Sequence, residues 1–400
     1  MVLYGDYEPE PDGWPMKSLV SFLSACLLLG LAGGAVALPA FPLKTGLSDD
    51  QAAILDAKGA RVRLISVNWF GAESAAFVPG GLDKQPVDKI AKLIKAGGFN
   101  SVRLPWSNEM VESNPVVKAG DVAANPQFQG QRALTVFDAV VKALSDQGLM
   151  IVLDNHRSRG DWCCDEIHGD GMWYTTGYPE ASWINDWKTM AGRYRANPFV
   201  IAAELRNEIR PDASLGVTPS WGTNDGATDW RMAAIRGAEA VLKVNPNLLI
   251  VIGTPKYQTD LTPVRDHPVT LSVAGRVVYA AHDYAWNRSA DELSDPLAFE
   301  VGSWQRWGFV REPGHAWTAP VYISEWGGCV QGACPADRVA YTQAVLTYQR
   351  SSQIDFAWWP LNGTQMAGYG RTKGAVETFG LTTQDWSGWA APGVVAGLTQ

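Results

Sequence analysis

Two glutamates carry the most readable chemistry in this chain. Glu208 lies just beyond the apolar run 200–206, and Glu325 closes the apolar run 320–325. Burying a carboxylate is costly unless it is paired, so two of them at the ends of core-forming segments call for a chemical reason. Two carboxyls facing one cleft suit the hydrolysis of a glycosidic bond. One, protonated, donates to the leaving oxygen; the other, ionised, attacks the anomeric carbon. Mutual repulsion predicts that one pKa is raised, while a nearby Arg103 keeps the other low.

Further polar and aromatic residues end other apolar runs. Asn68 and Trp69 end the first, Arg103 comes from the second, and Asn155 and His156 follow the third. Asn207 precedes Glu208, His282 and Tyr284 close the sixth run, and Trp359 closes the eighth. His282 and Tyr284 are two apart, so on an extended segment they face the same side. Their types suggest roles: Asn207 on a sugar 2-hydroxyl, Tyr284 on the nucleophile, His282 on substrate, and Trp359 as the floor under the reacting ring. Each also has a plainer reading, Arg103 as an ion-pair partner, His156 as a core histidine, Trp359 as core.

The elements that position these residues alternate. Eight short β-rich runs, 61–68, 99–105, 149–154, 200–206, 248–253, 276–282, 320–325 and 354–360, are separated by amphipathic stretches such as 86–97, 132–147, 181–196, 229–244 and 336–351. Strands alternating with helices mean parallel strands and right-handed crossovers. Eight such units predict a closed α/β architecture, the (β/α)8 TIM barrel, whose active site gathers at the C-terminal ends of the strands. An open doubly wound sheet would want a G-x-G-x-x-G turn after the first strand, and "NWFGAES" is not one. No linker or repeat interrupts residues 38–400, which read as a single domain.

Composition narrows the partners. The 400 residues are 46% hydrophobic and 18% charged, with formal net charge −8, and contain 18 Trp. No long basic run exists, so nucleic acid is excluded as an expected partner. Surplus Trp suits a carbohydrate cleft, because a flat indole stacks on the apolar face of a pyranose. Residues 19–38 are apolar, follow Lys17 and contain Ala35-Val36-Ala37, a small-residue cleavage pattern. They predict a secretory signal starting at Met16 and cut near Ala37, hence a secreted protein with no membrane attachment afterwards. The competing reading takes Met1 as the start and the run as an uncleaved anchor. Beyond Cys26, the cysteines are Cys163, Cys164, Cys329 and Cys334, an even set expected to form two disulfides. Their pairing stays open between 163–164 with 329–334 and cross-links joining the two loops. No histidine stands at ligand spacing beside them, and neither H-E-x-x-H nor G-x-S-x-G occurs, so no metal, cofactor or serine nucleophile is expected. Two sequons, at Asn287 and Asn362, offer glycan acceptors.

The strings "RLPWS", "LDNHR", "LRNE", "HDY", "ISEWG" and "WWPLNG", in that order, resemble glycoside hydrolase family 5. With "NWFG" and "TDWRMAAIRGAEAVLKVNPNLLIVI", they are most similar to its endo-β-1,4-glucanase branch. The resemblance implies Glu208 as acid/base, Glu325 as nucleophile, and Arg103, His156, Asn207, His282, Tyr284 and Trp359 as the other recurrent site residues. It implies a retaining enzyme acting on a β-linked oligo- or polysaccharide, expected to be a monomer. The chain departs from the family where Ile209 stands in place of the Pro of N-E-P, and in the long segment after His156 with Trp162, Trp173 and Tyr174, expected to wall the cleft. A mannan or another β-glycoside is the alternative substrate. A barrel that binds sugar without cleaving it is the alternative of another class.

Overall fold

The computed structural model describes residues 38–164, 166–167 and 169–400. The expected signal segment, with Met16 and Cys26, lies outside them. The first element among the described residues is a hairpin, β1 (Lys44–Ser48) and β2 (Gln51–Leu55). Eight parallel strands follow: β3 (Ile65–Asn68), β4 (Ser101–Ser107), β5 (Met150–Arg157), β6 (Val200–Glu204), β7 (Leu249–Ile252), β8 (Val277–Asp283), β9 (Val321–Trp326) and β10 (Asp355–Trp358). They close into a barrel in chain order, with β10 pairing back onto β3. Each of the eight predicted runs overlaps one of these strands. All residues of β4 and β5 are buried, as strands covered on both faces must be.

The helices are α1 (Val87–Ala96), α2 (Asn108–Ser113), α3 (Ala133–Asp146), α4 (Glu180–Arg193), α5 (Trp230–Val244), α6 (Ala290–Ser294), α7 (Pro296–Arg306), α8 (Ala336–Ser352) and α9 (Pro392–Thr399). The five predicted helices correspond to α1, α3, α4, α5 and α8. Their ends follow local chemistry. Asp88 sits in the first turn of α1 and Lys95 in its last, complementing the helix dipole. The chain then leaves through Gly98, whose φ of +91° favours glycine. Asp229 caps α5 by accepting from the Met232 N–H at 3.3 Å.

Two main apolar layers hold the barrel. Outside it, Val67, Val102, Ile151, Ile250 and Ile323 pack against the helices. Inside its lower half, Met150, Val152, Val251, Val278 and Tyr322 fill the barrel, and Leu43 and Ile54 plug it from the hairpin. Fully burying an aliphatic side chain of this kind contributes about 1.5–3 kcal/mol. The upper half is polar, and there the strand ends converge.

Candidate active site

Arg103 on β4 organises the barrel's upper interior. Its side chain is fully buried and its Nε and Nη2 donate to both oxygens of Glu204, at 2.7 and 3.0 Å. Nη1 donates to Glu325 Oε1 at 2.7 Å and to Asn68 Oδ1 at 3.0 Å. Nη2 also donates to Asn207 Oδ1 at 2.8 Å and lies 3.1 Å from Asp154 Oδ2. A guanidinium presents its donors in a rigid planar fork, so one residue fixes a plane of acceptors. Arg103 is absent from the lining of the cleft; it touches Glu325 and Asn207 from below.

The cleft above, about 670 Å³, is lined by His156, Asn207, Glu208, His282, Tyr284, Glu325 and Trp359, together with Trp162, Tyr257 and Trp286. Glu325, at the end of β9, is held from two sides. Arg103 binds Oε1, and the Tyr284 hydroxyl donates to Oε2 at 2.9 Å. Glu208 follows β6 in left-handed backbone, φ 43°, and Gln258 holds that turn by accepting the Glu208 N–H at 2.7 Å. In place of the family's proline, Ile209 is buried, and Arg210 reaches back to the Glu208 carbonyl at 2.9 Å.

His282 stands between the two glutamates. Its Nδ1 is 2.9 Å from Glu208 Oε1 and 3.7 Å from Glu325 Oε2. Its Nε2 is 3.1 Å from Ser324 Oγ, whose own proton goes to Glu204 Oε1 at 2.9 Å. With that hydroxyl committed as a donor, Ser324 can only accept from the imidazole. The network therefore assigns the Nε2–H tautomer and leaves Nδ1 to exchange a proton with Glu208. Burial disfavours the charged imidazole, but the charge of Glu325 and the hydrogen bond to Glu208 outweigh it and raise the His282 pKa. Burial likewise pushes the Glu208 carboxyl up, and the bond to His282 and its charge bring it below its ordinary value. The expectation that repulsion raises one of the pair is thus not met at Glu208, because an imidazole rather than open space separates the carboxylates. His156 behaves oppositely: burial drives its pKa down to about 3, so it is neutral, with Nδ1 2.6 Å from Asp154.

Trp359 lies over the site in a stack. Phe70 is 5.3 Å away at an interplanar angle of 15°, and His156 is 5.5 Å away at 5°. Three of the sequence expectations are corrected here. Trp69 does not reach the cleft: Asn68 points into the barrel toward Arg103, so strand alternation turns Trp69 outward, where it is fully buried with Nε1 donating to Gly80 O at 2.8 Å. Phe70, the next residue, is also fully buried and packs behind Trp359. Trp173 and Tyr174 also leave the cleft wall, Trp173 buried and bonded to Glu180 at 2.7 Å, Tyr174 bonded to the Ala227 carbonyl at 2.8 Å. Of the three aromatics, Trp162 alone lines the cleft, next to Cys163 and Cys164. Asn362 is buried with its amide spent on Phe70, so the second sequon is closed to a glycan in the folded chain.

The cysteines pair as Cys163–Cys164 and Cys329–Cys334. Sequence reasoning passed over Glu204, Gln258 and Ser324. Glu204 was the legible one, a lone carboxylate in the run VIAAELR. Two groups of side chains have metal-ligand spacing among the described residues. In one, His156 meets the cysteines, whose sulfurs are already spent on each other; the other is Glu208, His282 and Glu325. In the second group, all the ligand atoms lie within 4.8 Å of one another. That spacing brings an oxygen of Glu208 and an oxygen of Glu325 to face each other within 4.8 Å.

The cellulase family (glycosyl hydrolase family 5) matches residues 55–365. An endoglucanase of Paenibacillus polymyxa is 33% identical over 355 residues, covering 85% of this chain and 83% of that protein. The major extracellular endoglucanase of Xanthomonas campestris is 29% identical, covering 92% of this chain and 72% of that one. Among solved structures, the endocellulase of Pyrococcus horikoshii in complex with cellotetraose superposes with a TM-score of 0.75 at 25% identity, over 90% of this chain and all of that one. The chain belongs to glycosyl hydrolase family 5, the cellulase family, and is a glycoside hydrolase.

Proposed function

We propose that this hydrolase cleaves β-1,4-linked glucan internally, by double displacement, with Glu325 as nucleophile and Glu208 as acid/base. One observation carries the reading: oxygens of the two carboxyls lie within 4.8 Å. Retaining pairs stand about 5–5.5 Å apart, whereas inverting pairs leave about 6.5–9.5 Å for a water. Glu325 attacks the anomeric carbon as the bond to the leaving oxygen breaks, and Glu208 delivers a proton to that oxygen. Glu208 then takes a proton from water as the water's oxygen displaces Glu325. Arg103 fixes one oxygen of Glu325 and the Tyr284 hydroxyl fixes the other. Before substrate binds, the working proton rests with His282; it returns through the 2.9 Å contact to Glu208 when the leaving oxygen draws on it. Asn207 offers its amide N–H to the sugar, and Trp359 is the floor.

The Pyrococcus complex with cellotetraose and the names of the endoglucanase relatives support cello-oligosaccharide chains as occupants of the cleft. We place the protein outside the cell and acting as a monomer. The two disulfides suit an oxidising compartment, and no helix among the described residues is long and apolar enough to cross a membrane. The cleft is complete within one chain.

The test is a panel of soluble β-glucans, mannans and aryl β-glycosides, with product length and anomeric form followed by NMR. Glucan products of mixed length, released first as the β-anomer, are expected. Cleavage of mannan alone, or α-anomer appearing first, overturns the reading.

A further inference from the structure

The segment after β5 puts an unusual chemical group into the cleft. Cys163 and Cys164 are both partly exposed and both line the space that holds Glu208 and Glu325. Joined to each other, two neighbouring cysteines form a small closed ring that presents sulfur and methylene to solvent and carries no side-chain donor. Their sulfurs stand 3.8 and 3.6 Å from Nδ2 of Asn207.

That contact bears on Asn207. Its Oδ1 is taken by Arg103 at 2.8 Å, which fixes the amide with Nδ2 toward the cleft. There Nδ2 meets the two sulfurs and His156 Nε2 at 3.5 Å. Sulfur is a weak acceptor, so the donor stays oriented and available to a sugar hydroxyl. A carboxylate or carbonyl in the same place would consume it.

The wall itself is pinned on both sides. Arg157 binds the Trp162 carbonyl just before the cysteines, and its Nη2 binds Asp170 at 2.9 Å beyond them. Asp170 also takes Arg206 at 3.2 Å. The Trp162 ring is edge-on to Phe70 at 5.3 Å and is covered by the Arg371 guanidinium at 4.0 Å. Buried charge pairs and ring packing therefore hold the sulfurs at a fixed distance from the Trp359 floor.

Resting on the glucanase reading above, we propose that the Cys163–Cys164 disulfide is a substrate-binding wall. It packs its sulfurs against a glucosyl ring seated over Trp359 and holds Asn207 aimed at that ring's hydroxyl. Soft, polarisable sulfur gains contact with C–H surfaces, and equatorial glucose presents such a surface. Opening the ring replaces one rigid wall by two rotatable polar groups.

The test compares cellotetraose hydrolysis by the unsubstituted protein, the Cys163→Ser/Cys164→Ser variant and the Cys329→Ser/Cys334→Ser variant. Each is assayed before and after a trialkylphosphine. The phosphine becomes its oxide with oxygen from water, while the two sulfurs take up two protons as thiols. Loss of the wall should raise KM about tenfold, the scale of one lost apolar contact in a pocket, with kcat held within about twofold and the unfolding temperature little changed. The phosphine should produce the same rise in the unsubstituted protein and in the 329/334 variant, and none in the 163/164 variant. An unchanged KM, or a fall in kcat at constant KM, overturns the inference while leaving the glucanase reading intact. Failure of the unsubstituted protein to cleave any β-glucan overturns both.

Discussion

Replacing Arg103 by methionine, which keeps most of the volume and removes the charge, tests the polar layer beneath the cleft. Arg103 is the shared partner of three buried carboxylates: Glu204, through two hydrogen bonds of 2.7 and 3.0 Å, Glu325 at 2.7 Å and Asp154 at 3.1 Å. Removing one member of a buried ion pair costs about 3–5 kcal/mol, because the remaining charge is left without compensation. The three carboxylates share one cation, so their losses overlap and do not sum; about 4 kcal/mol is expected. The loss should depend on pH. Burial pushes Glu204 up, but the Arg103 charge and hydrogen bonds bring its folded pKa below the unfolded value. Such a group stabilises the fold above the unfolded carboxylate pKa, and that contribution fades as pH falls through the folded pKa. In the variant, burial is opposed only by the His282 charge and the Gln258 and Ser324 hydrogen bonds. The folded pKa is therefore expected to rise above the unfolded one and ionising the carboxylate to oppose folding. The deficit should therefore be largest near about pH 8 and smaller near about pH 5. Thermal unfolding of both proteins at the two pH values is the assay, with a drop of roughly 5–10 °C expected at the higher. A loss below about 1 kcal/mol, or one indifferent to pH, would refute the reasoning that these charges are unscreened and share one partner.

Other perturbations probe neighbouring groups. Tyr284→Phe removes the donor to Glu325 Oε2; kcat should fall about tenfold to a hundredfold, the worth of a hydrogen bond to a charged group, and steady-state kinetics showing an unchanged kcat would contradict this. His282→Asn removes an imidazole whose folded pKa is raised. The stability it contributes is present below its unfolded value of about 6.5 and lost as pH rises through the higher folded value. The difference in unfolding temperature from the parent should therefore shrink above neutrality, while the alkaline limb of kcat/KM moves; limbs that coincide would exclude His282 as the proton's resting place. Phe70→Ala strips the packing beneath Trp359 and should cost about 3–5 kcal/mol in stability together with a higher KM for cellotetraose. An unaltered KM would mean that Trp359 needs no support from below.

The barrel was legible because each of its strands is buried on both faces and so reads as a continuous apolar run ending at a polar rim. The opening hairpin was not. Strand β1, KTGLS, is short and half polar, and its turn uses Asp49 and Asp50 at φ 49° and 57°. That turn lacks the Asn-Gly or Asp-Gly signal that marks such hairpins. At the site, residues at strand ends could be placed by counting, which is why the cleft gathers His156, Asn207, Glu208, His282, Tyr284, Glu325 and Trp359. The count failed by one position at Trp69, since a period of two sends neighbours to opposite faces. Gln258 lies in a run of three left-handed residues, Lys256, Tyr257 and Gln258, whose course no periodicity announces. The effect of His282 on Glu208 depends on where an imidazole sits between two carboxylates from different strands, a distance that no spacing along the chain encodes.

The central claim, that Glu325 forms the covalent bond and Glu208 serves it, meets its most direct test in trapping the intermediate. The protein is incubated with a slow fluorinated β-cellobioside carrying an activated aryl leaving group, then digested and sequenced by mass spectrometry. The account predicts one cellobiosyl adduct per chain, on the peptide containing Glu325 and on that carboxylate. An adduct on Glu208 or another residue, or turnover of the compound with no adduct and inverted product, would contradict it.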